Sequence, residues 1–495
     1  MDIRFQPAPA ADWQANTVIL FNFKGEKLTD SISTLNETIP WITITPALQD
    51  VHGKKNAVTV AYGHPSIALP RAIIVGLGKR EKFDLDVLRG AMKAAILKCR
   101  EVKADTCAIP LETLDAIDMD NEILVEEAIA SALISLHSYD ELKTTQKEPE
   151  HSPRWLALLS NDEYFPDNIH AAARRGEAAA HGVNFARDLV DAPANIITPA
   201  ALADKAEQLG KKYHFKRTIL GRKEILAQGM GALMSVAAGS ANEPKFIVME
   251  HAPEGTEHDD PIVFVGKGVT FDTGGISLKP SLNMQEMKSD MGGAAAIFGL
   301  FEALGQSDIN RRVIGITPCT DNMPSATATR PGDVVKSLDG KTIEVINTDA
   351  EGRLILVDAL TYAQKEYNPV AVINLATLTG ACVVALGVHC AGLFGNDDKL
   401  ADEIIAAGKT AGDKYWPMPT WDCYFETLKS EVADMKNVGN REGGAIHAAL
   451  FLKQFIKKDT RWAHLDIAGT AYKTKEGATG FGVRTLLELV RKGIN

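Results

Sequence analysis

The sequence predicts an α/β protein of two domains: a smaller amino-terminal α/β domain, then a larger one on a central mixed, largely parallel sheet. Three observations predict it. At 495 residues the chain is too long for one ordinary core. Short β-type apolar runs alternate with helical patterns in both halves. Between the halves lies NIHAAARRGEAAAHGVNFARDLV (168–190), rich in Ala, Arg and Glu, which reads as a helix ended by the prolines of DAPANIITP. The expected division is 1–165 for the accessory domain, 166–192 for the connecting helix and 193–495 for the second domain.

In the first domain the strands are TVILFNF (17–23), AVTVAY (57–62), AIIVGL (72–77) and WLALLS (155–160), with helices over 84–103 and 121–137. TTQKEPEHSP (144–153), polar with two prolines, reads as a surface loop. In the second domain the strands are FIVME (246–250), IVFVG (262–266), RVIGIT (312–317), VAVINLA (370–376) and AHLDIA (463–468). Apolar runs separated by helices imply a sheet covered on both faces, with its ligand site by the strand carboxyl ends.

Composition excludes several classes. The net charge of -11 argues against broad, sequence-independent nucleic-acid binding, though a local basic patch is compatible with it. The start, MDIRFQPAPA, lacks the apolar core of a secretory signal, and no run approaches the roughly 18 apolar residues of a membrane span. Cys99, Cys107, Cys319, Cys382, Cys390 and Cys423 form no CxxC and read as reduced packing residues of a cytoplasmic protein. GLG (76–78) and GKG (266–268) lack the spacing of nucleotide loops, and neither HExxH nor GxSxG occurs. EHAPEGTEHDD (250–260) has metal-ligand residue types, but it joins two strands through a Pro-Glu-Gly turn and reads as a solvated loop.

The chemistry concentrates in two segments. NTDAEGRL (347–354) follows the strand-like TIEVI and sets Asp349, Glu351 and Arg353 at alternate positions, which an extended backbone would aim at one side. Two carboxylates that close repel unless a cation sits between them, either Arg353 or a metal. VGKGVTFDTGGISLKPSLNMQEMKSDMGG (265–293) begins as a buried strand and carries Lys267, Asp272, Lys279 and Asp290, with glycine pairs at 274–275 and 292–293 for turning and close approach. Singly, Lys267 reads as a lysine snorkelling from a strand end, and Asp290 as a helix cap. Together they make a histidine-free carboxylate set, suited to Mg²⁺, Mn²⁺ or carboxylate-bound Zn²⁺. Two ions about 3.5 to 4 Å apart that share a water would equip a hydrolase.

With SDMGGAAA (289–296), NMPSATATRPGDVV (322–335), NLATLTGA (374–381) and HLDIAGTA (464–471), these segments resemble the leucyl (cytosol) aminopeptidase family, bacterial type, from about Arg187 onward. The resemblance implies a metal-dependent aminopeptidase that hydrolyses unblocked, preferably apolar residues from peptide N-termini through a water bridging two metals. Its ions would be Mn²⁺ or Zn²⁺, with Mg²⁺ or Co²⁺ as further candidates, held by Lys267, Asp272, Asp290, Asp349 and Glu351. Asp272 and Glu351 would bridge, and Lys267 would ligate as a neutral amine. It further implies that Lys279 holds the developing oxyanion and that Arg353 anchors a bicarbonate acting as general base. Asn347, Thr377, Leu378 and Gly380 would line the substrate groove, and Met287, Ala468 and Ala471 the pocket for the first side chain. A homohexamer of two stacked trimers is implied as well. The chain departs from the family at Ala326, where Gly is commoner, and at Ala471, where a larger apolar residue is common. Two other readings are a two-metal phosphoesterase and a DNA-binding architectural or regulatory role, which some bacterial family members carry.

Overall fold

The computed structural model describes residues 1–8, 12–28, 39–65, 67, 69–145 and 151–494. They divide into two compact units, Met1–His181 and Gly182–Asn495. Six strands organise the first: β1 (Asp2–Pro7), β2 (Thr17–Phe23), β3 (Val58–Tyr62), β4 (Arg71–Gly78), β5 (Thr106–Pro110) and β6 (Trp155–Ser160). Their order is β1-β6-β5-β2-β4-β3, parallel throughout except for β3 against β4. Every residue of β2 is buried, as befits an apolar run packed on both faces.

Helices α1 (Leu85–Glu101) and α2 (Asn121–Ser135) begin where expected, because an aspartate precedes each. Asp84 accepts from the Val87 N–H at 2.9 Å and Asp120 from the Glu122 N–H at 2.8 Å, capping otherwise unpaired donors. Strands β1 and β5 went unforeseen, β1 because its sequence DIRFQP mixes polar and apolar residues at a sheet edge. Of the expected loop at 144–153, residues 146–150 lie outside the described residues. The connecting segment is the 25-residue helix α3 (Asp167–Asp191), and the two units divide within it, between His181 and Gly182.

The second unit holds a nine-stranded mixed sheet. Its strands are β7 (Lys216–Leu220), β8 (Lys245–His251), β9 (Ile262–Gly266), β10 (Gly268–Asp272), β11 (Val313–Asn322), β14 (Ala371–Ala376), β15 (Ala391–Gly395), β16 (Tyr415–Pro417) and β18 (Trp462–Asp466). The short β12 (Val334–Lys336), β13 (Thr342–Glu344) and β17 (Met435–Lys436) form a separate three-stranded sheet. At the centre of the large sheet β18, β14, β9 and β11 run parallel, and β10 also pairs with β11 in parallel. The core against it includes Val263, Val265, Ile314, Ile316, Val372 and the apolar face of helix α5 (Gly352–Glu366). The chains leaving the carboxyl ends of β9, β10, β14 and β18 carry Lys267, Lys279, Asp290, Thr377 and Ala468, where the sheet's topology places a ligand site, whereas Asp349, Glu351 and Arg353 follow β13 of the small sheet.

Of the segment expected to be a solvated loop, 250–260, Glu250 and His251 instead close strand β8, and 252–260 form the loop that the Pro-Glu-Gly turn predicts: Gly255 has φ +88°, and His258 is exposed. His251 instead lies 3.1 Å through Nε2 from the Ile309 carbonyl. Among the described residues no helix is long and apolar enough to cross a membrane.

Candidate functional site

Lys267 is the residue between β9 and β10, held in the sheet by donating its N–H to the Leu375 carbonyl (3.0 Å) and accepting from the Ala294 N–H (2.9 Å). The second bond draws in the start of helix α4 (Gly292–Leu304), and only a glycine permits it. A Cβ on Gly293 would stand 2.2 Å from the Leu375 oxygen. Gly352 serves likewise at the start of α5, where a Cβ would come within 2.8 Å of Lys267 Nζ. The Lys267 side chain is thereby enclosed between two helix starts that bring Asp290 and Glu351 to it.

The result is a buried charge cluster. Lys267 Nζ lies 2.6 Å from Asp290 Oδ2 and 2.7 Å from Glu351 Oε1, and donates to the Thr377 carbonyl at 3.0 Å. Lys279 Nζ lies 2.7 Å from Asp272 Oδ2 and also pairs with Asp349 Oδ1. Carboxylate oxygens of Asp272, Asp290 and Glu351 all fall within 4.8 Å of one another. The five expected ligands and Lys279 are therefore neighbours.

Electrostatics express the crowding. Burial, then the Glu351 charge, raises the Asp272 pKa; burial raises Asp290 well above the ordinary range against the pull of Lys267; burial and Asp272 raise Asp349. For Lys267, burial favours the neutral amine, yet Asp290, Glu351 and Asp272 together raise its pKa. Lys279 is raised in the same way by Asp272, Glu351 and Asp349.

The residues fit a divalent cation. Asp290 Oδ2, Asp349 Oδ1 and Glu351 Oε1 are buried and meet only lysine ammonium groups, with no partner in hydrogen-bond geometry. Crowded, under-satisfied carboxylate oxygens without histidine are the donor set of a hard or borderline ion. The other Asp272 oxygen is fixed by the Gly274 N–H (2.9 Å) and by Asn322 Nδ2 (2.8 Å). Gly274 and Gly275, with φ of +87° and +65°, make the turn that returns Lys279 to Asp272.

The local geometry of NTDAEGRL differs from the expected extended alternation. Strand β13 ends at Glu344, and Asn347 Oδ1 accepts the Asp349 N–H at 2.9 Å, turning the chain. Glu351 then has helical angles (φ -78°, ψ -36°) at the threshold of α5, and Arg353 lies in that helix's first turn. A loop turning into a helix, rather than strand alternation, brings Asp349 and Glu351 to the cluster. Arg353 is buried, donates through Nη1 to the Asn437 carbonyl at 2.7 Å, and keeps a buried Nε without a partner. Burial lowers its pKa to about 10, with Glu351 and Asp466 opposing.

The residues expected along the groove occupy two loops. Thr377 Oγ1 donates to Asp290 Oδ1 at 2.7 Å, so this side chain also holds a candidate ligand. Buried Asp466 accepts from the Leu378 N–H (3.2 Å), the Thr379 hydroxyl (2.6 Å) and the Ala468 N–H (3.2 Å), tying the loops after β14 and β18 together. A Cβ on Gly292 would stand 3.1 Å from Ala471 Cβ and 3.5 Å from Thr377 Cγ2, so both border the start of α4. Met287 is half-buried in the 3₁₀ turn Met284–Ser289 just before Asp290. Gly380, first residue of helix α6 (Gly380–Leu386), is exposed and faces open space. Asn347 joins this group only through its loop, with its amide oxygen already engaged.

Sequence reasoning gave no role to Asn322, Asp466 or Asn437. An aspartate closing an apolar strand was a signal for Asp466; Asn437, in MKNVGN, offered none.

Comparison with known proteins identifies the family. The model of the cytosol aminopeptidase family's catalytic domain matches residues 184–487, and that of its N-terminal domain matches residues 19–146. A probable cytosol aminopeptidase of Nitratidesulfovibrio vulgaris is 54% identical over 100% of this chain and 99% of its own length. One of Oleidesulfovibrio alaskensis is 52% identical with the same coverage. Among solved structures, a mutant of tomato leucine aminopeptidase superposes with TM-score 0.87 at 33% identity, covering 100% of this chain and 97% of its own. The bottromycin maturation enzyme BotP in complex with Mn gives 0.85 at 32% identity, covering 97% and 99%. The chain is thus a peptidase, a hydrolase of peptides, and belongs to the cytosol aminopeptidase family.

Proposed function

We propose that this chain is a metal-dependent aminopeptidase that removes unblocked N-terminal residues, leucine and other apolar ones preferentially, using two divalent ions. The observation that carries the reading is the convergence of Lys267 with three mutually close carboxylates, Asp272, Asp290 and Glu351, at the carboxyl ends of the sheet. Lys267, Asp272, Asp290, Asp349 and Glu351 would hold the ions. Mn²⁺ is the first candidate, given the Mn complex of a protein with the same fold, and Zn²⁺ the second. When bound, the ions supply Lewis acidity toward a water and the peptide carbonyl, and a bicarbonate on Arg353 supplies a base. The unpartnered Nε of Arg353 supports that anion site.

The protein's own groups do the remainder. Lys279, 22% exposed and with a raised pKa, stays protonated and donates to the oxygen on which charge develops. Asn347, Thr377, Leu378 and Gly380 line the peptide's path, and Met287, Ala468 and Ala471 receive its first side chain. The peptide must present a free, deprotonated amine, since that nitrogen fixes the scissile bond by the reacting centre. Acetylation removes it.

Turnover of Leu-Gly-Gly, acetyl-Leu-Gly-Gly and Glu-Gly-Gly under one metal loading tests this reading. Leu-Gly-Gly should be cleaved stepwise from its free end and the acetylated peptide left intact. Glu-Gly-Gly should be slower, because its carboxylate loses hydration in an apolar pocket. Comparable cleavage of the acetylated peptide would remove the amine anchor, and a preference for Glu would mean that the pocket is assigned wrongly.

The homohexamer that the resemblance implies is part of this proposal. Light scattering should give six chains per particle; a fully active monomer would contradict this. A cytoplasmic location agrees with the six free cysteines, and fractionation of the source cells checks it.

A further inference from the structure

Asn437 is 0% exposed and lies about ninety residues from everything its side chain touches. Strands β13 and β17 pair in parallel, Ile343 with Met435 and Glu344 with Lys436, and the ladder then stops. Where it stops, Asn437 takes over. Its N–H donates to the Glu344 carbonyl (3.0 Å); Oδ1 accepts from Ile346 N–H (2.8 Å) and Asn347 N–H (3.3 Å); Nδ2 donates to the carbonyls of Asn347 (2.7 Å) and Ala350 (3.4 Å). Its own carbonyl accepts from Arg353 Nη1 at 2.7 Å.

An amide is the one neutral side-chain group with both two donors and an acceptor, so it can satisfy an irregular buried backbone as a neighbouring strand would. The backbone it satisfies here bears Asp349 and Glu351, on either side of Ala350, and leads into Arg353. We infer that Asn437 is a positioning residue of the reaction: it fixes the loop that presents two metal ligands and sets the orientation of the Arg353 guanidinium. This rests on the proposed metal-dependent reading.

The test compares the full-length wild type with Asn437→Ala and with a control, Asp434→Ala. Asp434 is exposed and accepts from the Thr342 N–H (2.7 Å) and hydroxyl (2.9 Å) at the far end of the same strand pair, so its loss weakens the pair without touching the loop. Mn²⁺ affinity by calorimetry, kcat and KM for leucine p-nitroanilide at saturating Mn²⁺, and Tm are read on each. Asn437→Ala should lose about 10- to 100-fold in Mn²⁺ affinity and in kcat, with KM within about threefold, as expected for a group that orients ligands. Asp434→Ala should lower Tm alone. An Asn437→Ala protein with wild-type affinity and kcat and only a lower Tm overturns the inference. Should that variant not fold, Asn437→Asp carries the same comparison, since it keeps the acceptor for Ile346 and Asn347 but loses both donors. Amide exchange in the wild type adds an independent check: Ile346 and Asn347 N–H should be protected, and exchange as fast as in a free peptide overturns the inference. A wild type that binds no Mn²⁺ contradicts the metal reading itself, which is a different failure.

Discussion

Glu351→Gln is expected to abolish measurable hydrolysis and to lose bound metal while the protein remains folded. Glu351 is buried, at the threshold of α5, and its Oε1 is one of the oxygens without a hydrogen-bond partner beside Lys267. The amide matches its shape but carries no charge for a cation. A fall of about 10³-fold in kcat/KM, about 4 kcal/mol of transition-state stabilisation, is the least expected when a ligand of the reacting centre is removed. The fold should tolerate the change, because Lys267 keeps Asp290 at 2.6 Å and one of three crowded like charges is gone. Metal content by mass spectrometry, Tm and turnover on one preparation decide it. Full metal content with unchanged turnover would remove Glu351 from the ligand set.

Lys279→Ala is expected to act differently, cutting kcat by about 10²- to 10³-fold with metal content nearly unchanged. Lys279 pairs with Asp272 and Asp349 but comes from a separate turn, and its ammonium is the only partly exposed cation of the cluster. As a donor to developing charge it matters chiefly in the transition state, so KM should move little. Metal assay beside steady-state kinetics separates the cases. If Lys279→Ala lost its metals, the division between ligands and oxyanion donor would be wrong.

The chemical residues were legible because they interrupt strong apolar patterns: Lys267 follows IVFVG directly, and Asp272 comes five residues on. The same signal hid part of the fold. Strand β10, GVTFD, carries a glycine and a candidate ligand, so its β-character is diluted by its function. Strand β15, AGLFG, has glycines at two of five positions, where side-chain propensity says little. The course of NTDAEGRL was misjudged because an extended segment and a turn into a helix share its residue types; the turn is set by Asn347 and by the distant Asn437. Asn437 could not be found by local pattern, since its partners lie in another part of the chain. Thr377, expected from the resemblance to line the groove, also gives its hydroxyl to Asp290, a pairing that exists only once β14 and α4 are packed together.

Chelation followed by metal return tests the proposed chemistry most directly. Protein stripped by a strong chelator would be assayed on leucine p-nitroanilide, with metal content and circular dichroism read on the same sample, then refilled with Mn²⁺ or Zn²⁺. The proposed ligands sit at strand and helix ends that the core already fixes, so stripping should abolish hydrolysis, leave the spectrum unchanged, and be reversed by either ion. Full activity in the stripped sample, with metal confirmed absent, would contradict it.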